Sequence, residues 1–374
     1  MIPASTRVAR ELESPEAARW FQAPGRVNLM GDHTDYNDGF VLPVAIDRAC
    51  LVASLPGSTV RFRSLDLGGV VEVAADGSSD PTIVEPLWGR YVAGVVRELA
   101  ELGRPAAGID AVLASDVPLG AGLASSAALE VACAVALAGA ADWNPVPVAL
   151  AKACRRAEER ATGVPCGIMD QLASVAGVPG NALLVDCRSL DVRPVPLPAG
   201  VAILVVHSGV SRTLAGSAYA DRRASCEALA RRLGVPALRD ATAEQVADDP
   251  IGRHVVSENA RTLAAADALE DGDLELLGRL FAESHASLRD DFGISTSELD
   301  ALVSELVEAG AHGARLTGGG FGGCVVALCE AAKADGIGET AGARYRERTG
   351  LEATVWRCRA VGGAGPTGSG TDLT

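Results

Sequence analysis

Residues 116–140 read DVPLGAGLASSAALEVACAVALAGA. The stretch opens on a turn with Gly120 and Gly122 two residues apart and continues as a long run of mostly small and apolar residues rich in alanine and leucine, the strongest helix formers. Ser125 and Ser126 stand where that helix begins. A helix start leaves N–H groups without partners and carries the positive end of the macrodipole, so this junction is a place where a phosphate can sit. The most apolar part, Ala127 to Ala141, is interrupted by Glu130 and is too short to cross a bilayer, which points to a buried helix.

Upstream, TVRFRSL (59–65), VVEVAA (70–75) and AAGIDAVLAS (106–115) read as short strands, with a helical pattern from Tyr91 to Leu102 between them. Downstream, a helix is expected from about Pro145 to Ala161, carrying RRAEER, then VPCGIMDQLASVAG (164–177) leads into another, and NALLVDC (181–187) reads as a strand. Near the start, an amphipathic segment around Glu11 to Trp20 precedes the breaker Ala23-Pro24-Gly25, a polar cluster and the apolar run FVLPVAI (40–46). The pattern restarts at AILVVHSG (202–209), passes through helical segments to Ala309, and reaches LTGGGFGGC (316–324), which enters a further strand. The proline-rich VRPVPLPAG (192–200) reads as a linker, and GGAGPTGSGTDLT (362–374) as a polar tail. The expectation is an α+β chain of two lobes, residues 1–192 and 193–362, followed by a disordered tail over 363–374.

Length and composition agree. The 374 residues exceed the roughly 250–300 at which one core stops growing, and 48% hydrophobic with 22% charged residues supplies ample core material. A net charge of −15 opposes polyanions, so neither nucleic acid nor an anionic membrane is expected as a partner. Nine scattered cysteines without a C-x-x-C pair read as reduced thiols, and the opening residues lack the apolar core of a secretory signal, so a cytoplasmic location is expected.

Several enzyme classes are set aside by what the sequence lacks. Its only lysines, Lys152 and Lys333, follow no glycine-rich turn, which removes the Walker loop and the protein-kinase pattern. There is no H-E-x-x-H and no G-x-S-x-G. GAGLASSA (120–127) half-matches the dinucleotide fingerprint, with Asp142 at a suitable distance, and makes a dehydrogenase the alternative class. Against it, the stretch before Asp142 is one continuous helix and leaves no room for the second Rossmann strand.

Three segments together resemble the motifs of the GHMP kinases: APGRVNLMGDHTDYNDGFVLP (23–43), PLGAGLASSAALE (118–130) and LTGGGFGGC (316–324). The first carries the signature of the galactokinase family within them, and VPCGIMDQ (164–171), SRTLAGSAYADRR (211–223), RHVVSEN (253–259) and HASLRDDF (285–292) are similar to that family as well. The resemblance covers nearly the whole chain. It implies a two-lobed GHMP fold, with an N-terminal lobe like domain 2 of ribosomal protein S5, a ferredoxin-like C-terminal lobe and an active site between them. It also implies a monomer that takes ATP, Mg2+ and a small sugar, phosphorylating galactose at C1. A kinase for another galactose derivative such as N-acetylgalactosamine, and a sensor without catalysis, are the alternatives within the same resemblance.

The resemblance also assigns roles residue by residue. Pro118, Gly120, Ala121, Gly122, Leu123, Ser125 and Ser126 would cradle the nucleotide phosphates, and Trp88 would pack near the adenine. Ser126 and Glu158 would hold the magnesium, which takes hard oxygen ligands. Asp170 would be the base that accepts the hydroxyl proton, with Arg26 beside it offsetting developing negative charge. Asp32, His33, Asp35, Gly167 and Tyr219 would bind the sugar, since carboxylates accept hydrogen bonds from neighbouring hydroxyls. Each has a plain alternative: Asp170 as a helix cap, Glu158 as an exposed salt bridge, Trp88 as core, the aspartates as a solvated loop. Most members of the family have Glu where this chain has Asp32, a shortening that leaves slack near C6 of the sugar.

Overall fold

The computed structural model describes residues 2–210 and 215–368. Within them the first part of the chain forms strands β1 (Arg19–Asn28), β2 (Phe40–Val41), β3 (Pro43–Gly57), β4 (Val60–Ser64), β5 (Val70–Val73), β6 (Gly108–Ser115), β7 (Asn181–Asp186) and β8 (Val192–Pro196). The second part adds β9 (Val201–His207), β10 (Gly313–Thr317), β11 (Cys324–Glu330), β12 (Thr354–Cys358) and β13 (Gly365–Thr367). Helices are α1 (Ala4–Ala9), α2 (Gly89–Glu101), α3 (Ser125–Ala140), α4 (Pro147–Thr162) and α5 (Met169–Ala176), then α6 (Ala215–Leu233), α7 (Pro250–Asp271), α8 (Leu274–Asp290), α9 (Ser297–Glu308) and α10 (Ala334–Thr349).

The largest sheet has the order β13-β1-β3-β6-β4-β5 and is antiparallel except where β4 runs parallel to β6. Helix α3 packs on β1 and β3. It is buried on nearly every side, as a helix of alanines, leucine and valine without a polar stripe must be. Helices α2, α4 and α5 surround it. The second part builds an antiparallel sheet in the order β10-β11-β9-β12, with α6 to α9 inserted between β9 and β10 and α10 between β11 and β12. This is the βαββαβ ferredoxin-like arrangement. Asp249, Asp273 and Thr296 cap α7, α8 and α9 through side-chain oxygens, which fixes where these helices begin.

Two expectations need correction. Residues 192–196 are not linker but strand β8, paired with β7, so the chain leaves the three-stranded sheet β2-β7-β8 at Pro196 and enters the next sheet at Val201. Pro194 and Pro196 are tolerated because β8 lies at the edge of that sheet, where a missing N–H costs no ladder bond. Nor is the tail disordered from 363. Gly363 and Ala364 donate to the carbonyls of Gly177 and Ser174, and β13 pairs with Trp20, Phe21 and Gln22 of β1. Main-chain pairing asks nothing of the side chains, so a polar, glycine-rich segment can supply an edge strand. Residues 369–374, and 211–214 of the SRTLAGSAYADRR motif, lie outside the described residues. Among the described residues no helix is long and apolar enough to cross a membrane.

Candidate active site

The two glycine-rich segments and the signature loop converge on one cleft. Strand β1 is interrupted by a register shift between Pro24 and Arg26, which turns the Arg26 side chain out of the ladder toward α5. Its guanidinium meets Asp170, in the first turn of α5, through two parallel bonds: Nε to Oδ1 at 2.8 Å and Nη2 to Oδ2 at 2.7 Å. The remaining edge, Nη1, donates to the Gly122 carbonyl at 2.6 Å. Arg26 is buried and the Asp170 side chain is 29% exposed, so this bidentate pair joins the glycine turn to a carboxylate that opens on the cleft.

Asp35 stands opposite, in a short 3-10 turn over Asp35–Asn37. Burial raises its pKa from 3.8 to about 6, the charge of Asp170 pushes it the same way, and Arg223 and Arg26 offset only part of this. Gly167 explains how the carboxylate reaches its position, since a methyl group there would stand 1.5 Å from Asp35 Oδ2. His33, held at a positive φ of 64°, shares a hydrogen bond of 2.7 Å between Nδ1 and the Tyr36 hydroxyl. Its ring leans on Phe292 and on Tyr219 of α6. Burial raises the Tyr219 phenol well above its usual pKa, with the charges of Asp35 and Asp170 adding to the effect. Arg26, His33, Asp35, Gly167, Asp170 and Tyr219, with Asp32, Glu158, Gly318 and Gly319, line a cavity of about 280 Å3.

Asp32 sits deeper. It is 1% exposed, its Oδ1 accepts the Gly318 N–H at 2.8 Å, and its Oδ2 lies 2.6 Å from Nη2 of Arg315, a fully buried arginine on β10. Arg315 also donates to the Leu29 carbonyl and lies 3.6 Å from Glu258 on α7. Glu258 in turn accepts from Gly31 N–H, Ser284 and Arg261. Burial pushes the Glu258 carboxyl up, but Arg315 and Arg261 outweigh it and hold the pKa lowered to about 2.

The start of α3 forms the neighbouring region. Gly120, Gly122 and Ala124 adopt positive φ, and α3 begins without any side-chain cap, so no serine or aspartate side chain takes up its first N–H groups. Ala121 and Leu123 turn their side chains into the core, which leaves backbone as what that turn presents. Ser125, Ser126 and Trp88 line a second, mostly apolar cavity of about 630 Å3, with Leu67, Tyr91 and Leu119. Trp88 is both things at once: buried, with Nε1 donating to the Gly68 carbonyl, and part of that cavity's wall.

Glu158 stands on the wall of the first cavity and Ser126 on the wall of the second, with the Ser126 hydroxyl near enough to the Glu158 carboxylate to offset part of the rise that burial gives its pKa. Two hard oxygens in such reach, beside an anion-binding helix start, are a donor set that fits magnesium, which keeps its remaining positions for water and phosphate. Among the described residues no cluster of three or more His, Cys, Asp or Glu suits a metal. Gln171, fully buried, donates through Nε2 to both Glu130 and Glu158.

Sequence reasoning missed Arg315, Glu258, Gln171 and Arg223. Their partners lie up to 286 residues away, and only Glu258, Gln171 and Arg223 fall inside stretches already singled out.

Comparison with known proteins agrees with this geometry. Residues 10–56 match the family model "Galactokinase galactose-binding signature", 90–178 match "GHMP kinases N terminal domain" and 265–347 match "GHMP kinases C terminal". The chain is 46% identical over 361 residues to a galactokinase of Roseiflexus sp. (strain RS-1), covering 92% of each chain. It is 45% identical over 364 residues to a galactokinase of Chloroflexus aggregans, covering 91% of this chain and 92% of that one. Among solved structures, Lactococcus lactis galactokinase complexed with galactose superposes with a TM-score of 0.89 at 29% identity, covering 97% and 98% of the two chains.

Proposed function

This chain belongs to the galactokinase family of the GHMP kinases, and from that membership we propose that it transfers the γ-phosphoryl group of ATP to the C1 hydroxyl of galactose, releasing ADP and galactose 1-phosphate. The observation that carries this reading is the Arg26–Asp170 pair, opening on the cavity that Asp35 and Gly167 also line. Asp170 accepts the C1 proton as that oxygen attacks phosphorus. Arg26, held in place by the Gly122 carbonyl, offsets the charge that develops on the phosphoryl oxygens. Asp35 receives the C3 and C4 hydroxyls, His33 and Tyr219 complete the pocket, and Asp32 faces C6. The adenine occupies the apolar cavity beside Trp88, while the phosphates lie across the start of α3 from Pro118 to Ser126. Ser126 and Glu158 would hold a magnesium ion, which would supply charge neutralisation for the phosphates.

We further read the chain as a monomer and place it in the cytoplasm, the location being supported by nine free cysteines. The division into lobes near the passage from β8 to β9 belongs to the same proposal. Coupled ADP release with a panel of sugars tests the function. Galactose should be preferred over glucose by about 10⁴-fold in kcat/KM, because an equatorial C4 hydroxyl strands the Asp35 carboxylate. Asp170→Asn should reduce kcat by about 10²- to 10⁴-fold while the thermal melt is retained. Turnover of glucose within tenfold of galactose would defeat the assignment.

A further inference from the structure

Behind the wall that Asp35 and Gly167 form lies another polar cavity, of about 350 Å3, which shares those two residues and Cys166 with the sugar cleft. Lys152, Arg155 and Arg156 of α4 enter it from one side, spaced i, i+3 and i+4 and therefore on one helix face. Arg188 enters from the turn after β7 and Arg223 from α6. Five cations thus face two carboxylates, Asp35 and Asp38, in a chain whose net charge is −15.

Ordinary ion pairing does not use up these donors. Arg188 is saturated, with all three nitrogens on Asp38 and Asp240. Arg155 uses only Nη1, on Glu159 and the Cys166 carbonyl, and Arg156 only Nε, on Glu98. Arg223 uses Nε on Glu227 and Nη1 on the Cys166 carbonyl. Lys152 is exposed and has no partner among the described residues. Four cations from two helices therefore keep N–H groups available around one concavity. Guanidinium forks backed by an ammonium are the donor set that suits a phosphate dianion.

We propose that this cavity binds a small phosphate-bearing molecule and that its occupancy weakens sugar binding through the Cys166–Gly167 strip. The Cys166 carbonyl is held from two sides, by Arg155 at 3.4 Å and by Arg223 at 3.3 Å. The next residue, Gly167, is the surface on which the Asp35 carboxylate rests. An anion that draws the two guanidinium groups away loosens the strip and brings negative charge toward a carboxylate that already lacks a full counter-charge. The effect falls on the hexose side of the reaction and spares the nucleotide.

The readout in turnover rests on the function proposed above, so the test has a binding arm independent of it. Calorimetric titration of orthophosphate into the full chain, at constant ionic strength and with a non-hydrolysable ATP analogue saturating the start of α3, should show binding. Lys152→Glu should weaken that binding about tenfold and Lys152→Arg should keep it. In turnover, orthophosphate should raise KM for galactose about fivefold with KM for ATP unchanged, and Lys152→Glu should remove the effect. Replacing orthophosphate with glycerol 3-phosphate, an ester that lacks the hexose the cleft takes, tells a free anion from a phosphate ester: tighter binding of either one, lost in Lys152→Glu, supports the site and names its source. No heat with either probe, equal binding by Lys152→Glu, or an unmoved KM for galactose overturns the proposal. If the chain phosphorylates no sugar, the proposed function fails while the titration still decides this site.

Discussion

Asp32 and Asp35 are three residues apart in one loop and live in opposite electrostatic worlds. Asp32 is sealed between Arg315 and the Gly318 N–H, with Glu258 and Arg261 extending the network behind it. Asp35 faces another aspartate across the cleft, and its pKa is raised to about 6. The first carboxylate has its partners in the fold; the second lacks them until a ligand arrives. Both carboxylates stand on the wall of one cavity, yet one is held chiefly by the fold and the other is left for a ligand, and the division follows where the partners come from.

Substituting the unpaired member gives the largest expected effect. Asp35→Asn should lower kcat/KM for galactose by about 10³-fold, through lost charge-assisted hydrogen bonds. It should not lower stability. The folded-state pKa of Asp35 exceeds its ordinary 3.8, so its contribution favours folding at low pH and is lost as pH rises through about 6. At pH 7 the asparagine variant should melt at or above the wild-type temperature, and a fall in Tm would mean that the charge is already satisfied.

The paired member should behave in reverse. Arg315→Met leaves Asp32 and Glu258 as buried charges with too few partners, and should cost about 3–5 kcal/mol of stability. Denaturant unfolding measures this, and adding Asp32→Asn should recover part of the loss. A double variant no better than the single one would show that Arg315 matters through volume and not charge.

A smaller effect should appear in pH dependence. As pH falls through about 6, Asp35 takes a proton and loses an acceptor, so kcat/KM for galactose should drop about tenfold per unit below that point. An acid limb that stays near 4 would show that Arg223 and Arg26 dominate over burial and Asp170.

The smallest change should come from Asp32→Glu. The added methylene must shift Gly318 or Arg315 or push the carboxyl into the cavity that Asp32 lines, at about 1–3 kcal/mol in stability. The ratio of galactose to 6-deoxygalactose in kcat/KM should change by less than about tenfold, since most of this carboxylate is already engaged. A larger change would show that Asp32 contributes to recognition at C6 as strongly as its neighbour does at C3 and C4.

What the sequence disclosed follows the same division. The start of α3 was legible because a glycine turn before an alanine-rich helix is a local pattern. Arg26, Asp35, Gly167 and Asp170 were named because each lies in a short motif, and the structure draws them around one cavity. The Asp32 network was not legible. Arg315 and Glu258 look like any charged residues on a strand and a helix, and their meaning appears only when β10 and α7 meet the loop. Strand β8 was hidden for another reason. Its prolines look like a linker, and only its position at a sheet edge makes them harmless.

The short strand β13 bears on handling the protein. It covers the flank of β1 from Trp20 to Gln22, a row of main-chain groups that would otherwise be open to another molecule. A version cut after residue 362 would keep every residue of the cleft, yet would expose a template for strand addition and so gain a tendency to self-associate. For anyone trimming a flexible-looking end before crystallisation, the last useful cut lies beyond Thr367.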